Sequence, residues 1–231
     1  MTAMKPSPDS DASQPMVPLA EHEALKKEFD SFVYIVSHDF SAPLRHIREF
    51  SRLLLKRLEP HIGPEERQFA AAIEQSVTHA GDMMEGMVLL SRLNTRAEPA
   101  AEVDLNEVAA AARDAAIHAF EECGAMIGIE ALPSVFGDRA QLQQLLYQLF
   151  LNALTFCEPD TTPHISLHAE RWDEMWHFHV KDNGIGVAPE LQDQVFALFR
   201  RLHDMEAYPG KGVGLCLCKK IVERHGGSIW C

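Results

Sequence analysis

Positive charge is in short supply in this sequence. Lys and Arg together number 21 against 34 Asp and Glu, a formal net charge of −13 over 231 residues. A general binder of the nucleic-acid backbone needs a basic surface, so that class is set aside, although a local basic site for a nucleotide is not. Long apolar runs are missing too: none approaches the roughly 18–20 residues of a membrane helix. Residues 1–17 are rich in Ser, Pro and Asp, lack the basic and apolar regions of a signal peptide, and read as a disordered tail. Cysteines are few and odd in number: Cys123, Cys157, Cys216, Cys218 and Cys231. Without a secretory signal they read as reduced thiols of a cytoplasmic protein. Cys216 and Cys218, two apart, face different sides of a helix and make a poor metal pair. No internal repeat is visible. What remains, 46% hydrophobic and 24% charged, is globular composition with room for one large or two small domains.

Two regions of different pattern follow the tail. In the first, Leu25, Phe29, Phe32, Val36, Phe40, Leu44, Ile47, Phe50, Leu54 and Leu58 recur at three- and four-residue steps, one apolar stripe on a helix. That helix ends near Glu59-Pro60. Gly63-Pro64-Glu65-Glu66 restarts a helix, with Pro first and acids in the first turn. Phe69, Ile73, Val77, Ala80, Met84 and Met87 carry the stripe on to about Leu93. Two such helices do not bury both faces alone, which predicts a homodimer through a four-helix bundle.

The second region begins near Glu102 and mixes helices with strands. Asn106 is expected to cap a helix that Gly124 ends. Asp138 with Gln141 reads as a capping box for a helix through Phe156. On that helix Leu142, Leu145, Leu149, Ala153 and Phe156 form the expected buried face, with Gln141, Gln148, Asn152 and Thr155 as a polar stripe. His164–Glu170 and Trp176–Asp182 alternate as half-buried strands do, about five residues apart, and so predict an antiparallel pair. Lys211 to Arg224 is expected to be helical and closed by Gly226-Gly227, and Ser228–Cys231 to begin a strand. Helices on one face of a sheet make an α+β sandwich.

Four stretches bear on chemistry. In Ser37-His38-Asp39-Phe40-Ser41-Ala42-Pro43-Leu44-Arg45, His38 lies off the apolar stripe and is expected to be exposed. Asp39 can accept from one ring nitrogen and leave the other free as a nucleophile, though helix position alone favours a merely solvated histidine. Pro43 should loosen the next turn. Asp182-Asn183-Gly184-Ile185-Gly186 ends a strand with a carboxylate on its expected buried side. The two glycines after it permit close approach of a ligand, or simply a turn. Gly210-Lys211-Gly212-Val213-Gly214-Leu215 opens a helix, where backbone N–H groups meet phosphate or only make a flexible start. The polar stripe with Asn152 is either a solvated face or the wall of a nucleotide site that offers an amide oxygen to Mg²⁺.

In this order and spacing, the stretches resemble the catalytic core of two-component sensor histidine kinases, in a phytochrome-like subgroup, over roughly Glu23–Trp230. Phe32–Leu44 is similar to that family's H box and Asn152-Ala153 to the end of its N box. Asp182–Gly186 is similar to its G1 box, Phe196–Phe199 to its F box and Gly210–Leu215 to its G2 box. Arg201-Leu202-His203 and the run Cys218–Gly227 are closest to the subgroup. The resemblance implies a helical-hairpin dimerisation bundle followed by the ATPase sandwich shared with gyrase (the Bergerat, or GHKL, fold). The domains would be a tail at 1–17, a dimerisation and histidine phosphotransfer hairpin at 18–97 and an ATP-binding catalytic domain at 102–231. Relatives continue past the Gly226-Gly227 strand, so the C-terminal strand is expected to be cut short.

The resemblance also assigns roles. His38 would take the γ-phosphoryl group of ATP, with Asp39 as orienting base and Arg201 near the terminal phosphate. Gln148, Asn152, Asp182, Gly184, Gly186, Lys211, Gly212, Val213, Gly214 and Leu215 would bind the nucleotide, Asp182 through the adenine amine. Asn152 would help to hold Mg²⁺, and residues 187–210 would form a lid. The phosphoryl group would pass to an aspartate of a response regulator. Three positions depart from the pattern. Gln148 replaces an Asn, Thr155 replaces a Lys, and Lys211 replaces a Thr or Ser in a position to restore the lost charge. Ala42, where relatives that dephosphorylate their regulator often carry Thr or Asn, implies weak phosphatase activity. The alternative is a degenerate kinase acting as a histidine phosphotransferase or a regulator-binding scaffold without useful ATP binding.

Overall fold

The structure, a computed structural model, describes residues 19–58, 63–95, 98–121, 124–158, 160–200, 202, 208 and 212–231. The expected tail at 1–17, the turn at 59–62, Cys123, Arg201, Gly210 and Lys211 lie outside them, as does the side chain of His38. Two long helices come first, α1 (Leu19–Leu58) and α2 (Pro64–Thr95). Pro64 opens α2 with Glu65 and Glu66 in its first turn, and the Glu66 carboxylate accepts from the Gly63 N–H at 2.8 Å. That contact satisfies one donor left over at the helix start. Arg52 of α1 pairs with Glu74 of α2 and marks which turns lie side by side in the antiparallel hairpin. Pro43, expected to loosen α1, sits inside an unbroken helix. The neighbouring turns and the packing of α1 along α2 hold it, although one backbone donor is missing.

Most of the α1 stripe faces outward in the single chain. Phe29 is 63% exposed and Phe50 66%, and Phe32, Phe40, Ile47 and Leu54 are exposed as well. Val36 and Leu44 are half-buried and Ser37 is buried. The hairpin therefore covers one side of α1 and leaves the phenylalanine-rich side open.

The second region is an α+β sandwich. Strands β1 (Ala101–Asp104) and β3 (Ser134–Gly137) pair antiparallel as one small sheet. β2 (Met126–Ile129), β4 (His164–Trp172) and β5 (Met175–Asp182) form another in the order β2-β4-β5. β2 runs parallel to β4, and β5 antiparallel. The expected antiparallel pair is there, but its pairing continues to Trp172↔Met175, so two residues rather than about five separate the strands. Helices α3 (Leu105–Glu121), α4 (Arg139–Thr155) and α5 (Gly214–Arg224) complete the domain. Val108, Ala109, Ala112, Leu142, Leu146, Phe150, Ile165 and Leu167 form one buried cluster from α3, α4 and β4.

Several local expectations need correction. Asp104, not Asn106, caps α3: its carboxylate accepts from the Asn106 backbone N–H at 2.8 Å and from the Asn106 side-chain amide. These two bonds, the backbone one first, hold the Asp104 carboxyl below its ordinary pKa. Asn106 instead clips the chain before β3, exchanging bonds with both the carbonyl and the N–H of Leu132. On α4 the buried row is Leu142, Leu146, Phe150 and Ala153; Leu145 and Leu149 are only half-buried, because the helix is rotated relative to the expected stripe. Asp138 does cap Gln141, at 3.1 Å, but the Gln141 side chain does not return to Asp138. It reaches the Leu93 carbonyl in α2. Helix α5 begins at Gly214 rather than at Lys211, since Gly212 takes φ +67° and breaks the turn. Residues 228–231 form no strand; Trp230 meets the ring of His177 edge-on instead.

Phe150 is fully buried at the centre of the cluster. Phe150→Ala is expected to cost about 3–5 kcal/mol, the usual loss of transfer energy plus a cavity. Chemical denaturation followed by circular dichroism measures it; a cost below about 1 kcal/mol would show that the site collapses.

Candidate functional site

A cavity of about 340 Å³ opens beside α4. Its long wall is the polar stripe of that helix: Gln148, Asn152 and Thr155 all line it. Gln148 marks one end, where its amide oxygen lies so close to Gly214 that a Cβ there would stand 2.9 Å away. Phe156 marks the other, where its carbonyl would meet a Cβ on Gly184 at 2.5 Å. Eight residues of helix separate Gln148 from Phe156, roughly 12 Å at 1.5 Å per residue.

The Phe156 end is built by the turn after β5. The Phe156 carbonyl accepts from the Ile185 N–H at 2.9 Å. Asp182 accepts from the Gly184 N–H at 2.8 Å, which orients the carboxylate. Asn183 ties the turn to the start of β4 by accepting from the His164 N–H and donating to the Thr162 carbonyl. Gly184 is obligatory, because any side chain would strike the Phe156 carbonyl. Gly186 takes φ +70°, which favours glycine. The ring of Tyr208 stacks on Phe156 at 5.5 Å, and both line the cavity with Asp182, Ile185 and Gly186. Asp182 was expected on a buried side; it is exposed at the rim, because the cavity is open there.

The Gln148 end is the start of α5. Gly212, Val213, Gly214 and Leu215 all line the cavity. Val213 offers no side-chain cap, and its carbonyl takes the Leu217 N–H at 2.9 Å as the first bond of the helix. The preceding backbone N–H groups have no helical carbonyl to meet, and such an end attracts anions. One end of the cavity thus suits a flat ring with an exocyclic donor, and the other, about 12 Å away, suits negative charge.

The expected site residues Gln148, Asn152, Asp182, Gly186, Gly212, Val213, Gly214 and Leu215 therefore come together, with Gly184 directly behind the turn. Arg201 and Lys211 lie outside the described residues, while Arg200 lines the cavity and donates to Gln194 at 2.7 Å. Asp39 is exposed on α1, in the turn that holds His38. Among the described residues no cluster of three His, Cys, Asp or Glu side chains is arranged to hold a metal. Burial pushes the Cys218 thiol up to about 12 and Cys216 upward as well, as expected of inert packing residues. Sequence reasoning missed Leu89, Tyr208 and Phe156 as lining residues. The aromatic after Thr155 was a legible signal. Leu89 carries none, being one apolar residue among many on α2.

The fold and the cavity define an ATPase-type sandwich joined to a helical hairpin. The model for the histidine kinase-, DNA gyrase B- and HSP90-like ATPases matches residues 137–231, and phytochromes and phytochrome-like proteins are among the relatives of the chain. It is 32% identical over 208 residues to cyanobacterial phytochrome A of Nostoc sp., covering 90% of this chain and 27% of that protein. It is 31% identical over 208 residues to the phytochrome-like protein Cph1 of Synechocystis sp., covering 90% of this chain and 28% of that protein. The full-length ShkA crystal structure in complex with AMPPNP superposes with a TM-score of 0.58 at 25% identity, covering 87% of this chain and 42% of that one. The chain thus spans about a quarter of the length of these curated relatives. Among the described residues no helix is long and apolar enough to cross a membrane.

Proposed function

We propose that this chain is the catalytic core of a histidine kinase: it binds ATP in the α4 cavity, transfers the γ-phosphoryl group to His38 and passes it to an aspartate of a response regulator. The observation that carries the reading is the level of the cavity along the hairpin. Leu89 of α2 lines it. Arg52 and Glu74 pair across the two antiparallel helices. Fifteen residues back from Arg52 is Ser37, and fifteen residues on from Glu74 is Leu89. At equal rise per residue, Leu89 stands level with Ser37-His38. A nucleotide in this cavity would therefore sit at the height of the phosphoacceptor.

In this reading, adenine lies against Phe156 and Tyr208 and gives its amine to Asp182. The phosphates meet the α5 start, where the resemblance assigns further positive charge to Arg201 and Lys211. Asn152 would offer an amide oxygen to Mg²⁺, which would supply charge neutralisation at the phosphates. The work left to the protein is positioning and charge balance. Asp39, next to His38, orients the imidazole. The outward phenylalanine side of α1 supports a homodimer through a four-helix bundle, because apolar area that large stays covered in stable proteins. The domain limits proposed are a hairpin at 18–97 and a catalytic domain at 102–231, and the proposed setting is the cytoplasm.

Incubation with Mg²⁺ and γ-labelled ATP tests this. The expected product is labelled protein whose label survives alkali and is lost in acid. A folded chain that takes no label from ATP, but accepts it from a phosphorylated response regulator, would instead be a histidine phosphotransferase.

A further inference from the structure

We propose that α2 is itself a wall of the nucleotide cavity, so that nucleotide affinity is set by how the catalytic domain seats on the hairpin; this rests on reading the cavity as a nucleotide site. Gly86, Leu89 and Leu93 are spaced by three and four residues and so share one face of α2. Each meets the catalytic domain in a different way. Leu89 lines the cavity. Gly86 is buried against the turn before α5: a Cβ there would stand 2.4 Å from Val213 Cγ2 and 3.1 Å from Phe199 Cε1. Only glycine permits that approach. The groups it meets are anchored, since the Phe199 N–H donates to the Gly212 carbonyl at 3.0 Å with Phe199 itself at φ +59°.

Leu93, in the last turn of α2, supplies a carbonyl with no partner in its own helix. Arg224 of α5 donates to it at 2.7 Å, and Gln141 of α4 at 3.3 Å. A few residues on, the Glu98 N–H donates to Asp138, the residue that caps α4. The α2 end thus connects to the helix that carries Gln148 and Asn152 and to the helix whose start faces the phosphates. A shift of α2 against this seat moves Leu89 relative to the cavity and alters the packing of Gly86 on Val213. The ligand concerned is a nucleoside triphosphate, and the hairpin residues that touch its site are Leu89 directly and Gly86 through Val213.

The test is the affinity of the whole chain for a fluorescent ATP analogue. Leu89→Ala removes an apolar wall and is expected to weaken binding roughly five- to tenfold. Gly86→Ala adds one methyl to the seat and is expected to do the same, although Ala is a better helix residue than Gly and leaves the hairpin at least as stable. In a Val213→Ala background, where the 2.4 Å collision is gone, the same Gly86→Ala change should cost much less affinity than it does in wild type, a coupling that a merely structural defect would not show. Should Gly86→Ala fail to fold, as judged by its melting curve, Leu89→Ala decides alone. Binding by wild type with equal affinity in both single variants overturns the inference and leaves the nucleotide site standing. No binding by folded wild type overturns the nucleotide reading and this inference with it.

Discussion

His38→Ala is expected to take no label from γ-labelled ATP while binding the nucleotide as tightly as wild type. The split follows from where the residues lie. His38 belongs to α1, whereas the cavity is lined by α4, the turn after β5, the start of α5 and Leu89 of α2. Removing an imidazole from α1 takes away the nucleophile and leaves the binding walls intact. A phosphorylated histidine is a covalent intermediate, so its loss is total rather than fractional. Label should fall to background, with the affinity for a fluorescent ATP analogue unchanged. Asp39→Asn should retain label at a reduced rate, because it keeps the shape and loses the charge that orients the ring. Persistent alkali-stable label in His38→Ala would place the acceptor elsewhere.

The second large effect is expected at Asp182. The carboxylate is held by the Gly184 N–H at the end of the cavity where Phe156 and Tyr208 stack. It has a free acceptor direction for an exocyclic amine, and adenine presents one where guanine presents a carbonyl. Loss of a hydrogen bond to a charged group costs about 1.5–3 kcal/mol, a factor of roughly 10–150 in Kd. Asp182→Ala should therefore bind the ATP analogue at least tenfold more weakly. Asp182→Asn should lose affinity for ATP and gain some for GTP, since its amide can donate to the guanine carbonyl. Isothermal titration with both nucleotides checks this. Equal ATP affinity in wild type and Asp182→Ala would remove Asp182 from the site.

The two halves of the chain differ in how much their residues disclose. The hairpin was legible because its stripe repeats over about nine turns and Gly63-Pro64-Glu65-Glu66 marks a restart, both local properties of the chain. The α4 cap at Asp138 was legible for the same reason. Local signals failed where a residue had a partner far along the chain. Gln141 left its capping box for Leu93, and Asn106 left the cap to Asp104 because it closes on Leu132. The burial of α4 was misjudged by one residue step, since rotation of a helix is set by what packs on it. Residues 228–231 look like a strand in composition, yet they make no strand pairing with the described residues, and Trp230 packs on His177 of β5 instead.

The sequence by itself determined the ingredients of the site: a carboxylate ahead of two glycines, an amide stripe on a helix, a glycine turn before another helix, and a histidine on a long amphipathic helix. Each is a short-range feature, fixed by spacing and backbone preference. Only the tertiary structure decided that these ingredients share one cavity, that its two ends lie about 12 Å apart along α4, and that Leu89 closes one side. The physical reason is that packing between distant segments is a property of shape. Gly86 against Val213, and the Leu93 carbonyl against Arg224, are contacts that no periodicity encodes.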